Sequence, residues 1–292
     1  MSKEIFLKRY KELGEDPDFN IKVKQSIRVN ALKISDEELV ERLIKKVKLE
    51  KIKWLGNGYY SISKFSLAST NEYLQGYFYI QDAVAQIPVG VLNPKPIDTV
   101  LDMAAAPGGK TTQISSLMKN HGVVVAVDRD DRRLEALQNN IERLGCGNVI
   151  VYKKDARYIE DLGYKFDKVL LDAPCSGNFL SEKNWFAKRN IEDIKSRAKL
   201  QKKMIEAGIN VLKKNGILVY STCSLEPEEN EEVVDYALKF GVELIDTGLD
   251  VGDSGLVEVF GKKLDDSVVK CRRFWPWKMG TQGFFVAKIK KL

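Results

Sequence analysis

Short apolar runs alternate with longer amphipathic stretches from Ile97 to the end of the chain. Five of these runs are rich in Val, Ile and Leu and are flanked by polar or turn residues, as in strands buried on both faces of a parallel sheet. The predicted strands are residues 99–101, 123–127, 149–152, 168–171 and 217–220, and a sixth at 283–289 should close the sheet. This rhythm predicts an α/β domain over residues 96–292, with crossover helices between the strands.

The first 95 residues have a different pattern. Strand-like runs at 26–32 and 59–62 flank an amphipathic helical pattern at 36–47, which favours a small α+β unit over residues 1–95. Pro94 and Pro96 mark the predicted boundary between this unit and the α/β domain.

The distribution of charge says more than its total. The chain has 292 residues, 44% of them hydrophobic, and a net charge of +6, which fits a globular protein but does not establish nucleic-acid binding. Residues 165–214 carry twelve Lys and Arg against six Asp and Glu, and residues 262–292 carry nine against two. These two basic stretches would suit a phosphate backbone, although solvated helix faces have the same composition.

The cysteine and histidine content argues against a metal site. The four cysteines form no Cys-x-x-Cys pair, and the single histidine, His121, lies in a predicted surface turn away from the strand ends. No apolar run approaches the roughly 18 residues of a membrane span. We therefore expect a cytoplasmic, soluble protein with reduced thiols, and neither a metal nor a membrane among its partners.

The first predicted strand runs into a loop of small residues that opens a helix. This segment, 102–112, reads Asp-Met-Ala-Ala-Ala-Pro-Gly-Gly-Lys-Thr-Thr. Small side chains let a ligand approach the backbone, and a helix amino terminus provides free N–H donors. A phosphate-binding loop would need glycine at Ala104, and the Gly-x-Gly-x-x-Gly dinucleotide pattern is missing. Both nucleotide interpretations are weakened, with a phosphate-loop NTPase kept as a minor alternative.

An aspartate follows each of the next three strands. These are Asp128, Asp155 and Asp172, and the carboxyl ends of strands in an open α/β sheet border one crevice. Asp128 is placed to accept hydrogen bonds from ribose hydroxyls and Asp155 from an adenine amino group, although either residue alone is also a common helix cap. Three carboxylates would repel a triphosphate, so the pattern favours a nucleoside-type cofactor.

Two cysteines also follow strands. Cys175 lies in Asp-Ala-Pro-Cys-Ser-Gly after the fourth strand and Cys223 in Ser-Thr-Cys-Ser after the fifth, so both thiols should face the crevice. By contrast, we expect Cys146 and Cys271 to be small buried hydrophobes. A helix beginning near Pro227 should hold the Cys223 loop, and its field would favour the thiolate.

Two thiols beside a nucleoside-type cofactor suit one reaction in particular. Carbon 5 of a pyrimidine is a poor nucleophile, but a thiolate added to carbon 6 makes the ring an enamine that can attack the methyl group of a sulfonium donor. The adduct must then lose its carbon 5 proton and expel the sulfur, a step that a second group can assist. Asp172 would hold the edge of the cytosine and stabilise the adduct.

The segments at 102–112, 172–177 and 221–224 resemble those of the RNA cytosine-5 methyltransferases of the NOL1/NOP2/Sun family. The same family is resembled by Arg28-Val29-Asn30, Gln81-Asp82 and Arg273-Phe274-Trp275-Pro276. The resemblance implies a Rossmann-like sheet that uses S-adenosylmethionine (SAM), with an N-terminal unit of the RNA-recognition type. It also implies that Cys223 is the nucleophile and that Cys175 assists product release. The implied SAM contacts are Ala104, Ala105, Ala106, Pro107, Gly108, Gly109, Lys110, Asp128, Arg133, Asp155 and Asp172.

The compact form resembles archaeal-type enzymes that act on tRNA, with ribosomal RNA as the main competing substrate. The chain departs from the family at Ala104, where Cys is frequent, and in the loop at 178–189. One rival interpretation is a DNA cytosine methyltransferase, whose nucleophile follows a proline as Cys175 does. Another is a noncatalytic RNA-binding module that acts in ribosome or tRNA maturation.

Overall fold

The computed structural model describes residues 3–292 and contains a nine-stranded sheet preceded by a four-stranded sheet. The α-helices are α1 (Lys3–Glu12), α2 (Asp36–Leu43), α3 (Asn71–Leu74), α4 (Ile87–Leu92), α5 (Gly109–Leu117), α6 (Asp131–Leu144), α7 (Trp185–Lys188), α8 (Ile191–Val211), α9 (Glu231–Ala237) and α10 (Pro276–Met279). The strands are β1 (Ser26–Val29), β2 (Lys48–Lys51), β3 (Gly58–Ile62), β4 (Phe78–Ile80), β5 (Thr99–Asp102), β6 (Val123–Asp128), β7 (Val149–Lys153), β8 (Phe166–Asp172), β9 (Leu212–Thr222), β10 (Val242–Ile245), β11 (Asp253–Ser254), β12 (Glu258–Val259), β13 (Lys262–Lys263), β14 (Arg272–Phe274) and β15 (Phe284–Lys291). Short 3₁₀ turns span Leu67–Ser69, Val84–Gln86, Ala156–Leu162, Pro227–Glu229, Leu238–Phe240 and Asp266–Lys270.

The small sheet is antiparallel and has the order β2-β3-β1-β4. Its core combines alternate residues of the strands with α2, including Ile27, Val29 and Leu39. Ser35 caps α2 by accepting a hydrogen bond from the backbone N–H of Glu38. The strand predicted at 26–32 ends earlier, because the side chain of Asn30 turns the backbone by accepting from the N–H of Leu32.

The large sheet has the order β11-β14-β15-β9-β8-β5-β6-β7, with β10 paired to β15. The pairs from β9 to β7 are parallel, whereas β15 is antiparallel to β9. All six strands predicted from the apolar runs are present, so the α/β prediction is confirmed. The chain runs from β5 outward to β7 and then returns to β8 on the other side of β5, which makes the β5–β8 boundary the topological switch point of the sheet.

Helices cover both faces of this sheet. On one face, α8 and α9 bury a cluster that includes Val169, Leu218 and Val233. On the other, α4 and α5 bury Val89 and Ile114. Because helices cover both faces, the parallel strands are apolar along their length. Polar residues lie where the strands begin and end.

Candidate active site

A cleft of about 260 Å³ opens at the carboxyl ends of the parallel strands, beside the switch point. Its lining includes the three aspartates and both cysteines that the sequence predicted for one crevice. The residues that line it are Met103, Ala104, Ala106, Asp128, Arg129, Arg133, Lys154, Asp155, Ala156, Asp172, Ala173, Pro174, Cys175, Leu200, Met204 and Cys223.

Asp128 and Arg133 hold the loop that follows β5. Asp128 ends β6, and its side chain is only 3% exposed. One carboxylate oxygen accepts from the backbone N–H of Ala106 at 3.3 Å and lies 3.4 Å from the guanidinium of Arg133. Arg133 in turn donates to the carbonyl oxygen of Ala106 at 2.5 Å. Ala106 is therefore fixed through both of its peptide groups.

The same loop depends on glycine at its end. Gly108 caps α5 with a φ of 106°, and a side chain there would lie 3.0 Å from Leu137 on α6. Behind the loop, Thr111 donates to the carboxylate of Asp102 at 2.8 Å. Burial raises the pKa of Asp102 to about 6. The loop is therefore supported by the packing of Gly108 against α6 and by the hydrogen bond from Thr111 to Asp102.

The carboxylate of Asp155 is hydrogen-bonded by Arg157, two positions further along the chain. Its oxygens accept from the backbone N–H of Arg157 at 3.0 Å and from the guanidinium of the same residue at 2.6 Å. The hydrogen bond from Arg157 lowers the pKa of this carboxyl. Asp155 is therefore a fixed acceptor in the lining of the cleft, with a pKa that favours its ionised form.

A second cavity lies on the other side of the loop, toward the small sheet. Its lining is shared between the loop, the 79–85 segment and Asp172, and comprises Tyr79, Ile80, Gln81, Ala85, Ala104, Ala105, Ala106, Pro107, Gly109, Lys110 and Asp172. Of the residues predicted to bind the cofactor, Ala105, Pro107, Gly109 and Lys110 line only this second cavity. Gly108 lines neither cavity and instead packs beneath the loop.

Asp172 stands between the two cavities. Lys110 donates to one of its oxygens at 2.7 Å, and the hydroxyl of Ser221 donates to the other at 2.7 Å. Both oxygens are thus fixed in direction by donors from α5 and β9. The carboxylate is a rigid acceptor that faces the strand ends carrying the cysteines.

The two cysteines are in contact. The sulfur atoms of Cys175 and Cys223 lie 3.3 Å apart, and both residues are free thiols. The contact between the two thiols lowers the pKa of Cys223, and the same contact together with burial raises the pKa of Cys175. The contact therefore favours the thiolate at Cys223 and the thiol at Cys175.

A buried carboxylate that the sequence analysis missed joins the two cysteine loops. Glu229 accepts from the backbone N–H of Ser176 at 2.9 Å, from the hydroxyl of Ser176, and from the side-chain amide of Gln201 at 3.1 Å. The amide of Asn178 donates to the carbonyl oxygen of Cys223 at 2.8 Å. The available signal is the run of glutamates after Cys223, a composition that is equally typical of the first turn of a helix.

Two family models match the chain. The model described as "16S rRNA methyltransferase RsmB/F" matches residues 89–290, which is most of the chain. The chain belongs to the RsmB/F family. A second model, described as the N-terminal domain of 16S rRNA methyltransferase RsmF, matches residues 4–83. The predicted resemblance to RNA cytosine-5 methyltransferases of the NOL1/NOP2/Sun type is thereby confirmed.

Individual relatives of this RsmB/F chain agree with the models. It is 41% identical over 235 residues to a tRNA (cytosine(72)-C(5))-methyltransferase of Pyrococcus horikoshii, covering 80% of this chain and 58% of the relative. It is 39% identical over 295 residues to a tRNA (cytosine(49)-C(5))-methyltransferase of Pyrococcus abyssi, covering 98% of this chain and 95% of the relative. The crystal structure of a methyltransferase homolog protein from Pyrococcus horikoshii superimposes with a TM-score of 0.88 at 41% identity, covering 100% of this chain and 96% of that one. The chain spans 58% of the first relative and about a third of two animal relatives.

In this RsmB/F chain, the first helix anchors the loop after Cys223. Arg9 of α1 donates to Glu226 at 3.0 Å and to Glu228 at 2.7 Å, and the hydroxyl of Tyr10 donates to Glu226 at 2.7 Å. Burial raises the pKa of Glu226 to about 7. Although α1 falls within the predicted N-terminal unit, its apolar face packs against Trp185 and other residues of the large sheet's domain.

The helix predicted near Pro227 is present but divided. A 3₁₀ turn over Pro227–Glu229 precedes α9, because Asn230 has a φ of −115° and a ψ of −97°. The side chain of Asn230 accepts from the hydroxyl of Thr222 at 2.6 Å and donates to the carbonyl oxygen of Ser224 at 2.9 Å. The break thus lets one side chain clamp both sides of Cys223.

The remaining cysteines and the histidine lie away from the cleft. Cys146 and Cys271 are buried among other side chains, as predicted, and His121 is exposed after α5. Across residues 3–292, no group of three or more His, Cys, Asp or Glu residues is arranged to hold a metal ion. Within the same range, no helix is both long and apolar enough to cross a membrane.

Proposed function

We propose that this chain transfers a methyl group from SAM to carbon 5 of a cytosine in tRNA. The observation that carries the proposal is the pair of thiols 3.3 Å apart at the ends of β8 and β9, on the wall of a cleft that also contains Asp128, Asp155 and Asp172. A thiol whose pKa is lowered, beside one whose pKa is raised, is the pairing needed to form and then release a covalent adduct.

The cleft fits a nucleoside with a cationic substituent. Asp128 and Asp155 would accept from the ribose hydroxyls and the adenine amino group, and Arg133 would hold the loop of Ala104, Ala105 and Ala106 against the cofactor. Three carboxylates favour a sulfonium cation over a triphosphate. When bound there, SAM would supply an electrophilic methyl group. Pro107, Gly108, Gly109, Lys110 and Asp172 complete the proposed cofactor site from the second cavity and the base of the loop.

The thiols divide the covalent chemistry between them. The Cys223 thiolate forms a bond to carbon 6 of the cytosine, and the displaced ring electrons make carbon 5 nucleophilic. After carbon 5 has gained its methyl group, a base takes up the carbon 5 proton. The electrons of that C–H bond re-form the double bond between carbons 5 and 6, and Cys223 leaves carbon 6 as a thiolate. Cys175, in contact with Cys223, is positioned to assist this release. Asp172, fixed by Lys110 and Ser221, would hold the polar edge of the ring throughout.

One comparison favours tRNA as the substrate. The relative that matches nearly the full length of both chains, 98% of this one and 95% of its own at 39% identity, is an archaeal enzyme named for tRNA. Ribosomal RNA is the second candidate, because both matching family models are described by 16S rRNA methyltransferases. We also propose the division at residue 95 and a cytoplasmic location, the latter because all four cysteines are free thiols.

Separate substitution of the two cysteines tests the proposal. Cys223→Ala should abolish both methylation and any covalent complex, because carbon 5 is then not activated. Cys175→Ala should instead leave the enzyme attached to methylated RNA, seen as a slower band on a denaturing gel, with SAM binding near that of the wild type. A variant with a damaged fold would lose SAM binding and adduct together.

The same experiment separates the rivals. If Cys223→Ala accumulates the complex and Cys175→Ala abolishes it, the roles are exchanged and the chain follows the DNA-type arrangement. If the wild type binds SAM but modifies neither tRNA nor ribosomal RNA, the noncatalytic RNA-binding interpretation is favoured. Bisulfite sequencing of RNA from a deletion strain would identify the modified nucleotide.

A further inference from the structure

Arg28 lies in the middle of the small sheet but reaches into the cofactor domain. Its strand, β1, is flanked by β3 and β4, and its side chain is 4% exposed. The guanidinium donates to the carbonyl oxygen of Gly109 at 2.5 Å and to the hydroxyl of Thr112 at 2.9 Å. Both acceptors belong to the first turn of α5, directly after the loop that the proposed cofactor site uses.

The bonding of Arg28 is unusual for a buried cation. Its further acceptors are the side-chain oxygens of Gln81 at 2.5 Å and Gln113 at 3.3 Å, and none of the acceptors that residues 3–292 provide for it is a carboxylate. Burial lowers the pKa of Arg28 to about 10. Desolvation of a guanidinium is costly when no counter-charge is present. The buried position of the Arg28 side chain is therefore stable only if its neutral acceptors are held in place.

Tyr79 adds a second contact from the same sheet. Its ring lies 5.4 Å from the guanidinium of Arg28, and a side chain at Gly109 would lie 3.2 Å from the ring. The loop end is therefore enclosed by Arg28 and Tyr79 from the small sheet on one side and by Leu137 beneath Gly108 on the other.

We propose that Arg28 is a positioning residue that holds the cofactor loop from the N-terminal unit, so that this unit sets the affinity for SAM as well as contributing to RNA binding. The inference rests on the proposed SAM site. Loss of Arg28 frees the first turn of α5 and, through the adjacent glycines, lets the backbone of Ala104, Ala105 and Ala106 move away from its binding position.

Arg28→Ala, compared with Asn30→Ala, tests this role. Asn30 is also buried and also joins the two units, but it donates to Leu144 at the far end of α6 and does not touch the loop. We expect Arg28→Ala to weaken SAM binding about tenfold in calorimetry, since each hydrogen bond from a charged group contributes on this scale. The KM for RNA should change little, and guanidinium at a non-denaturing concentration should restore part of the SAM affinity.

A second measurement does not depend on the cofactor. Hydrogen–deuterium exchange over residues 104–112, without SAM, should increase in Arg28→Ala and stay at the wild-type level in Asn30→Ala. Unchanged exchange and unchanged SAM affinity in a folded Arg28→Ala would overturn the proposal. If Arg28→Ala does not fold, Arg28→Lys, which keeps the charge but cannot reach all the acceptors, carries the same comparison. A wild type that binds no SAM would refute the proposed function, whereas the exchange experiment would still decide the role of Arg28.

Discussion

Removal of the Asp128 carboxylate should weaken SAM binding more than it weakens the fold. The proposed ribose contact consists of hydrogen bonds to a carboxylate, which contribute about 1–3 kcal/mol. Asp128→Ala should therefore raise the Kd for SAM about 5- to 150-fold. The structure adds a second contribution, because the same carboxylate accepts from the backbone N–H of Ala106, and that buried donor would be left without its partner.

Asp128→Asn separates the two contributions. The amide retains one oxygen, which can accept either from Ala106 or from the ribose, so its loss of affinity should lie between those of the wild type and Asp128→Ala. Asp130→Ala is the matched control. Asp130 caps α6 by accepting from the backbone N–H of Arg133 at 3.1 Å, and its loss should cost about 1 kcal/mol of stability without a change in SAM affinity.

Isothermal titration calorimetry of the three variants gives the affinities, and thermal unfolding without SAM reports the fold. An unchanged Kd in a folded Asp128→Ala would remove Asp128 from the cofactor site. Equal losses in Asp128→Ala and Asp130→Ala would show that the effect comes from disturbance of α6 rather than from a ribose contact.

Three further predictions concern RNA affinity, the cysteine loops and pH. If the exposed Lys199 of α8 contacts a phosphate, Lys199→Glu should reduce the slope of log RNA affinity against log salt concentration by about 0.7. Lys214→Glu, at the opposite end of the sheet, should leave this slope unchanged. Equal slopes for Lys199→Glu and the wild type would mean that this face of α8 is only solvated. Glu229→Gln should lower kcat and increase hydrogen exchange in the Cys175 loop, since an amide cannot accept from all three donors; wild-type exchange and kcat would exclude a bridging role. Because burial raises the pKa of Glu226 from 4.5 to about 7, this group favours the folded state below pH 4.5 and loses that contribution as the pH rises toward 7; chemical denaturation across this window should show a flatter profile for Glu226→Gln, and parallel profiles would contradict the assignment.

The strands and the position of the cleft follow from local patterns. A parallel strand that is buried on both faces must be apolar along its length, so the runs at 123–127 and 168–171 were visible without any tertiary information. Because the carboxyl ends of such strands share one edge, Asp128, Cys175 and Cys223 could be assigned to one crevice from sequence alone.

The supports of that crevice could not be predicted in the same way. Glu229 joins two loops that are 53 positions apart, and nothing in the composition of its own segment distinguishes a bridging carboxylate from a helix-capping one. Arg28 is similar, since a single Arg in a strand pattern suggests an exposed position, whereas its burial depends on acceptors more than 80 positions away. Local patterns locate reactive groups, but long-range pairing decides which polar residues hold them.

The anchoring of the Cys223 loop by α1 also has a consequence for synthesis of the chain. Arg9 and Glu228 are 219 positions apart, so at roughly 5–20 residues per second the helix emerges from the ribosome about 10–45 s before its partner. During that interval Phe6 and Tyr10, which end up fully buried, lack the later aromatic residues that cover them. Helix α1 is thus synthesised early but packs late. In a nascent chain that ends before Glu226, α1 has no partner through which it could hold the nucleophile loop. Order around Cys223 is therefore a property of the completed chain, and slow translation would prolong the exposure of an aromatic helix rather than speed its folding.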